Sequence, residues 1–186
     1  MRIIGGKYRS RVLAEFAGKD VRPTSDRAKE SLFNILALKI PGARVLDLFT
    51  GSGNLGLESL SRGAKEVVFN DISKESLAIV KRNLTALKLP VNGAEAKVCN
   101  YDYATCLDVV QGPFDVIFLD PPYALDIGKT ALKKIADRGL LKQDGVVVYE
   151  RDVPFTGEVA GLQAYDERRY GKAYLTFFAR GNEDEN

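Results

Sequence analysis

Apolar positions recur along this chain with two different periods. Leu32, Ile35 and Leu36, with Phe33 beside them, fall on one side of a helix, and Pro23 precedes Thr24 and Ser25, residues suited to cap its start. Pro41-Gly42 is read as its end. Before it, Arg2–Ile4 and Arg11–Ala14 are short β-like pieces around Gly5-Gly6. From residue 43 onwards short apolar runs alternate with helical stretches. Arg44–Phe49, Glu66–Asn70, Ala94–Cys99, Phe114–Leu119 and Gly145–Glu150 read as strands. Helices are expected over Asn54–Arg62, Ser73–Leu89, Tyr103–Val110 and Lys129–Arg138, the second with Leu77, Val80, Leu84 and Leu87 on one side.

Strand-helix alternation of this kind means βαβ units, hence a parallel sheet with helices on both faces. The end of the chain differs. Gln163–Tyr170 and Ala173–Arg180 are β-like runs separated only by Gly171-Lys172, which leaves no room for a helix and implies a hairpin. The expected fold is α/β and doubly wound, with a mostly parallel sheet closed by a C-terminal antiparallel hairpin. Within it the reading separates a basic extension and helix (1–40), the α/β domain (41–180) and an acidic, frayed tail (181–186).

Composition removes several chemistries. The chain of 186 residues has no histidine, which excludes Ser-His-Asp and Cys-His catalysis and imidazole-ligated metal. Cys99 and Cys106 are the only cysteines, so a disulfide framework or Cys-rich metal site is not expected, and no metal is assigned. Two thiols and an opening without an apolar signal segment fit a reducing, cytoplasmic setting, and no apolar run is long enough to cross a membrane. Net charge is +2, unevenly spread: residues 1–30 carry eight basic and four acidic side chains. A basic arm on a near-neutral body points to a polyanionic partner.

Two motifs carry chemistry. Gly51-Ser52-Gly53-Asn54-Leu55-Gly56 is a G-x-G-x-x-G placed after a strand and before a helix, and Asp71 follows at the end of the next strand. Glycines let a backbone approach a ligand, and the Asp71 carboxylate can accept both ribose hydroxyl protons. Asp47, four residues before Gly51, distinguishes between adenosine cofactors. A carboxylate there repels a pyrophosphate and suits S-adenosylmethionine, which carries an ammonium and a sulfonium. Asp102 and Asp120 follow the third and fourth strands, on the same sheet edge. Asp102 is either an adenine contact or an ordinary helix cap.

The second motif is Asp120-Pro121-Pro122-Tyr123. Its prolines lack N–H groups, so the turn presents acceptors without competing donors. Such a turn takes both protons of an exocyclic amine, which favours a pyramidal nitrogen with its lone pair free to attack a methyl group. Tyr123 offers a flat face for the base, and Asp120 can receive the proton lost on transfer.

These residues resemble those of the RsmD family of bacterial methyltransferases acting on guanine N2 in small-subunit (16S) ribosomal RNA. The likeness rests on RIIGGKYRSR, RPTSDRAKESLFNIL, LDLFTGSGNLGLESLSRGA, FDVIFLDPPY and RRYGKAYLTFF, and runs over about residues 2–180. It implies a class I S-adenosylmethionine-dependent methyltransferase fold, with Asp47, Gly51 and Gly53 at the methionine end of the cofactor, Asp71 at the ribose and Asp102 near the adenine. It implies Asp120 to Tyr123 as the catalytic turn, and small-subunit ribosomal RNA as partner, within an assembled or partly assembled 30S particle. Family members usually carry Glu where this chain has Asp71, so the shorter side chain must reach further. Arg2, Lys7, Arg9, Arg11, Arg22 and Arg27 are then candidate phosphate contacts, with Tyr8 available for stacking. The residues alone leave rivals: an adenine-N6 nucleic-acid methyltransferase sharing the Asp-Pro-Pro-Tyr turn, an NAD-dependent oxidoreductase, which Asp47 disfavours, and a non-catalytic ribosome assembly factor.

Overall fold

Each apolar run read as a strand pairs with its neighbour in register. The computed structural model describes residues 1–17, 26–122 and 127–181. Helix α1 (Asp26–Ile35) precedes the alternation β1 (Arg44–Asp47), α2 (Asn54–Ser61), β2 (Glu66–Asn70), α3 (Lys74–Ala86), β3 (Ala96–Cys99), α4 (Tyr103–Val109), β4 (Phe114–Leu119), α5 (Gly128–Asp137) and β5 (Leu141–Arg151). β6 (Leu162–Tyr170) and β7 (Ala173–Arg180) follow. The sheet has seven strands in the order β3-β2-β1-β4-β5-β7-β6. β1 to β5 are parallel, and β7 runs antiparallel to both β5 and β6. The expected doubly wound sheet with its antiparallel hairpin is therefore the observed one.

Strand order reverses between β1 and β4. The chain leaves β1 towards β3 and returns to β4, so the loops after these strands diverge and open a crevice at the carboxyl edge. Both sheet faces are covered. Val45, Val67, Phe69, Val116, Phe118 and Val148 meet α1, α2 and α3 on one side. Leu46, Val68, Ile117, Leu119 and Val147 meet α4 and α5 on the other.

Helix α2 lies close against the sheet because position 56 has no side chain. A Cβ built on Gly56 would stand 2.3 Å from the ring of Phe69. The third glycine of the motif is thus a packing residue. The α1 face departs from expectation at two positions. Ile35 is 40% exposed, while Lys29 is 1% exposed and lies among Ala28, Leu32 and Phe33. The ammonium of Lys29 donates to the Arg2 carbonyl at 2.6 Å and to Asn54 Oδ1 at 2.8 Å, and lies 3.2 Å from Glu58. Those partners replace the water it loses. The helix also ends at Ile35, and residues 36–40 turn rather than continue to Pro41.

The two N-terminal pieces read as β-like pair only as an isolated bridge, Arg2↔Val12, with Ile3 N donating to the Arg11 carbonyl at 3.0 Å and Leu13 N to that of Met1 at 2.9 Å. The next residues bond to α2 instead. Ile4 and Gly5 donate to the two oxygens of Glu58, each at 2.9 Å, and Lys7 N donates to the Ser61 carbonyl at 2.7 Å. Gly6 has φ +78°, and a Cβ there would stand 1.8 Å from the Ser61 oxygen. Ile3 and Leu13 join the same apolar cluster as α1 and α2. β5 begins earlier than its apolar run, at Leu141, because a register shift between Phe114 and Val116 admits the polar residues before Gly145. Residues 182–186 of the acidic tail, and Thr24 and Ser25 as helix caps, lie outside the described residues.

Gly56→Ala sets helix propensity, favouring Ala by about 1 kcal/mol, against overpacking of about 1–3 kcal/mol. The 2.3 Å approach decides for overpacking, so urea unfolding should show net destabilisation; a stabilised variant would show that α2 can lift off Phe69 freely. Glu58→Ala leaves the Lys29 ammonium buried without its countercharge and should cost about 3–5 kcal/mol in the same measurement.

Candidate functional site

In a strand every second side chain shares a face. Asp47 follows Val45 by two residues, Asp71 follows Phe69, Asp120 follows Phe118 and Glu150 follows Val148. Each of those four apolar residues belongs to the face packed on α1, α2 and α3. The four carboxylates therefore continue the same rows past the carboxyl edge. They line one cleft of about 1520 Å3, together with Gly51, Asp102, Pro121, Pro122 and Arg27.

The loop after β1 is held by its own polar groups. Asp47 is 2% exposed, and its Oδ2 accepts from Thr50 Oγ1 at 2.7 Å and from the Gly56 amide at 3.0 Å. Asp71 Oδ2 accepts from the Gly51 amide at 2.9 Å, and its Oδ1 from the Ser73 amide at 2.8 Å. Asp71 thus spans two strand ends. Buried Asn70 ties the third: its Nδ2 donates to the carbonyls of Leu48 and Tyr101, both at 3.1 Å, and its Oδ1 accepts from the Tyr101 amide at 3.2 Å. Asp102 caps α4, accepting from the Thr105 amide at 3.0 Å and from Thr105 Oγ1 at 2.6 Å. Those bonds hold its carboxyl below the usual range.

Electrostatics on the β1–β4–β5 side run the other way. Burial pushes the Asp47 carboxyl up to about 6 against its hydrogen bonds, and neighbouring Asp71 adds to the rise. Asp120 is raised well above the ordinary carboxyl range, first by burial, then by Glu150 and Asp47. Carboxylates crowded at one low-dielectric edge prefer to share protons or to meet a cation. The thiols offer nothing comparable: burial pushes Cys106 up to about 12 and raises Cys99, so neither is poised as a thiolate nucleophile. Among the described residues no cluster of His, Cys, Asp or Glu is arranged to hold a metal, and no helix is long and apolar enough to cross a membrane.

Other candidates lie apart. Gly53 is absent from the cleft wall; its amide bonds the Thr50 carbonyl and its carbonyl accepts from Leu57, so it shapes the turn into α2. Arg2 pairs with Asp26 at 2.6 Å. Lys7, Arg9 and Arg11 are exposed but do not line the cleft, and Tyr8 packs against the core with the Lys7 ammonium over its ring. Arg22 and Tyr123 lie outside the described residues. Glu150 lies outside both motifs, although it ends the run GVVVY just as Asp47, Asp71 and Asp120 end theirs. Phe49, Tyr101, Tyr103 and Ile72, which no motif marks, give the cleft its flat and apolar surfaces; Ile72 is 72% exposed directly after Asp71.

Because the folded-state value of Asp47 lies above its unfolded value, the folded chain binds that proton more tightly. The resulting stabilisation is complete below about pH 4 and is lost as pH rises through about 6. A rise from 3.8 to about 6 corresponds to roughly 3 kcal/mol. Asn can accept the same two bonds without the charge. Asp47→Asn should therefore raise the free energy of urea unfolding by about 1–3 kcal/mol at pH 7.5, with the gain fading towards pH 4. A pH-independent effect would assign the change to packing.

The profile of the family described as Conserved hypothetical protein 95 matches residues 1–179. The Bacillus subtilis protein YlbH is 38% identical over 185 residues, covering 97% of this chain and 99% of that one. Ribosomal RNA small subunit methyltransferase D of Haemophilus influenzae is 38% identical, covering 82% of this chain and 79% of that protein. The solved structure of the Escherichia coli protein yhhF superposes with a TM-score of 0.86 at 33% identity, covering 97% of each chain. With a family match along nearly its whole length and the class I methyltransferase sheet, the chain belongs to the RsmD family, Conserved hypothetical protein 95.

Proposed function

We propose that this protein transfers a methyl group from S-adenosylmethionine to the exocyclic N2 amine of a guanine in small-subunit ribosomal RNA. The observation that carries the reading is the row of carboxylates along one cleft, with the Asp120-Pro121-Pro122 turn in the same wall. The names of relatives that methylate small-subunit ribosomal RNA support it.

The cleft suits this cofactor. Both hydrogen bonds to Asp47 fall on Oδ2, which leaves Oδ1 for a ligand ammonium. Each Asp71 oxygen accepts one backbone amide and keeps a second lone pair for a ribose hydroxyl. Exposed Ile72 beside it, with Tyr101 and Tyr103 of the same cleft lining, supplies apolar surface for a purine, and Asp102, which lines that cleft as well, is assigned the purine amine in this reading. A pyrophosphate cofactor would meet only like charge at Asp47 and Asp120. When bound, S-adenosylmethionine provides an electrophilic methyl group on a sulfonium.

The remaining chemistry belongs to the chain. Asp120 and the Pro121 carbonyl accept the two amine protons and turn the nitrogen lone pair towards the methyl group. As the nitrogen gains carbon it loses a proton, and Asp120 Oδ takes it. Tyr123 is assigned the stacking face from its place in the motif. The target base must leave its stack to reach the turn. Arg27, on the cleft wall, is an RNA contact in this reading, while Arg2, Lys7, Arg9 and Arg11 would meet RNA only outside the cleft.

The test combines the protein, isotope-labelled S-adenosylmethionine and small subunits from cells lacking the activity, followed by nucleoside mass spectrometry. Labelled N2-methylguanosine is expected. Asp120→Ala should lower turnover by about 10²–10⁴ while cofactor affinity by calorimetry changes little. Labelled N6-methyladenosine would keep the turn and change the base; cofactor binding without any label would leave a binding protein.

A further inference from the structure

Residues outside the acidic row give the cleft a second wall of opposite charge. β7 pairs with β5 so that Tyr174 stands opposite Arg151 and Leu175 opposite Glu150. Lys172 lies two residues beyond Tyr174, so the β6–β7 turn projects past the carboxyl edge by roughly 7 Å. Arg169, at the end of β6, and Lys172 of that turn line the same cleft as Asp120 and Pro122. Neither has a carboxylate ion-pair partner among the described residues; Arg169 Nε instead donates to the Gly171 carbonyl at 3.0 Å, and its guanidinium lies over the Tyr174 ring.

The turn is anchored. Tyr170 Oη and Ser31 Oγ are 2.6 Å apart, which joins the tip of the hairpin to α1. Ser31 follows Arg27 by four residues, so both share one helix face, and Arg27 lines the cleft as well. Three cations from opposite ends of the sequence are thereby collected on one wall. The carboxylates of the same cleft suit a cationic cofactor. A cationic wall bordering the proton-accepting turn suits phosphodiester oxygens.

We propose that the tip of the β6–β7 hairpin, through Arg169 and Lys172 and in concert with Arg27, grips the RNA backbone next to the base entering the Asp120 turn. The assignment rests on the RNA methyltransferase reading for its substrate class. It moves the principal backbone contact from the N-terminal arm, whose Lys7, Arg9 and Arg11 lie off the cleft, to the C-terminal hairpin.

Binding and methyl transfer are measured separately. Fluorescence anisotropy with a 16S ribosomal RNA transcript, titrated with salt, is compared between the parent, Arg169→Ala/Lys172→Ala, Lys172→Glu and Lys172→Arg. Each phosphate that is no longer neutralised should flatten the log–log salt slope by about 0.7–0.9, so the double variant should lose about 1.4–1.8. Lys172→Glu, which leaves the Arg169 contacts to the turn intact, should weaken binding, and Lys172→Arg should preserve the slope. Cofactor affinity by calorimetry should match the parent in all three, which reports a folded cleft. A double variant with the parent's slope and normal cofactor affinity overturns the clamp. A parent that transfers no methyl group to unmethylated small subunits removes the proposed activity; the clamp then stands or falls on the slope alone.

Discussion

Side chains on a strand repeat every second residue, and parallel strands in register keep their rows aligned. That constraint organises this molecule. Val45, Phe69, Phe118 and Val148 lie on one face because Asp47 pairs with Phe69 and Phe118, and Phe118 pairs with Val148. The rows that bury apolar side chains against α1, α2 and α3 end in carboxylates at the edge. A slip of one residue in any strand would move a carboxylate to the α4–α5 side and an apolar residue into the cleft. Core packing and site chemistry are thus fixed by the same register. The crowding that raises Asp47 and Asp120 follows directly from placing acids at neighbouring positions of adjacent strands.

A second constraint lies behind the sheet. Glu58 has no exposure and collects the amides of Ile4 and Gly5, the ammonium of Lys29 and the guanidinium of Arg62. One buried carboxylate therefore joins the N-terminal arm, α1 and α2. It also accounts for two glycines in succession: the arm passes so near α2 that side chains at positions 5 and 6 would strike Arg62 and Ser61. The RIIGG stretch is explained by backbone docking before any role with nucleic acid is invoked.

Much of the architecture was legible because it depends on local pattern. Glu66–Asn70, Phe114–Leu119 and Ala173–Arg180 are apolar enough, and bounded clearly enough, to be read with the ends the structure gives them. Asp47, Asp71, Asp102 and Asp120 were legible as an edge because each follows such a run. Glu150 obeys the same rule but lies outside both motifs, with only the strand pattern to mark it. Lys29 and Glu58 were not legible, since helix periodicity treats a charged residue as outward-facing unless its partner is known, and their pairing crosses from α1 to α2. The charge count of the arm likewise concealed that Arg2 is committed to Asp26. Cations held by tertiary contacts, such as those of the hairpin turn, leave no signature in spacing.

The strand order β5-β7-β6 has a consequence for how the chain is made. β6 leaves the ribosome before β7 yet has no place beside β5, because β7 must lie between them. Until β7 emerges, the edge of β5, with its buried run Val146–Tyr149, has no partner, and the wall carrying Tyr170 and Lys172 does not exist. The acidic half of the cleft is then complete in sequence while the basic half is not. A growing chain thus passes through a stage with an adhesive open edge at β5, and gains the means to hold a polyanion only once β7 closes that edge.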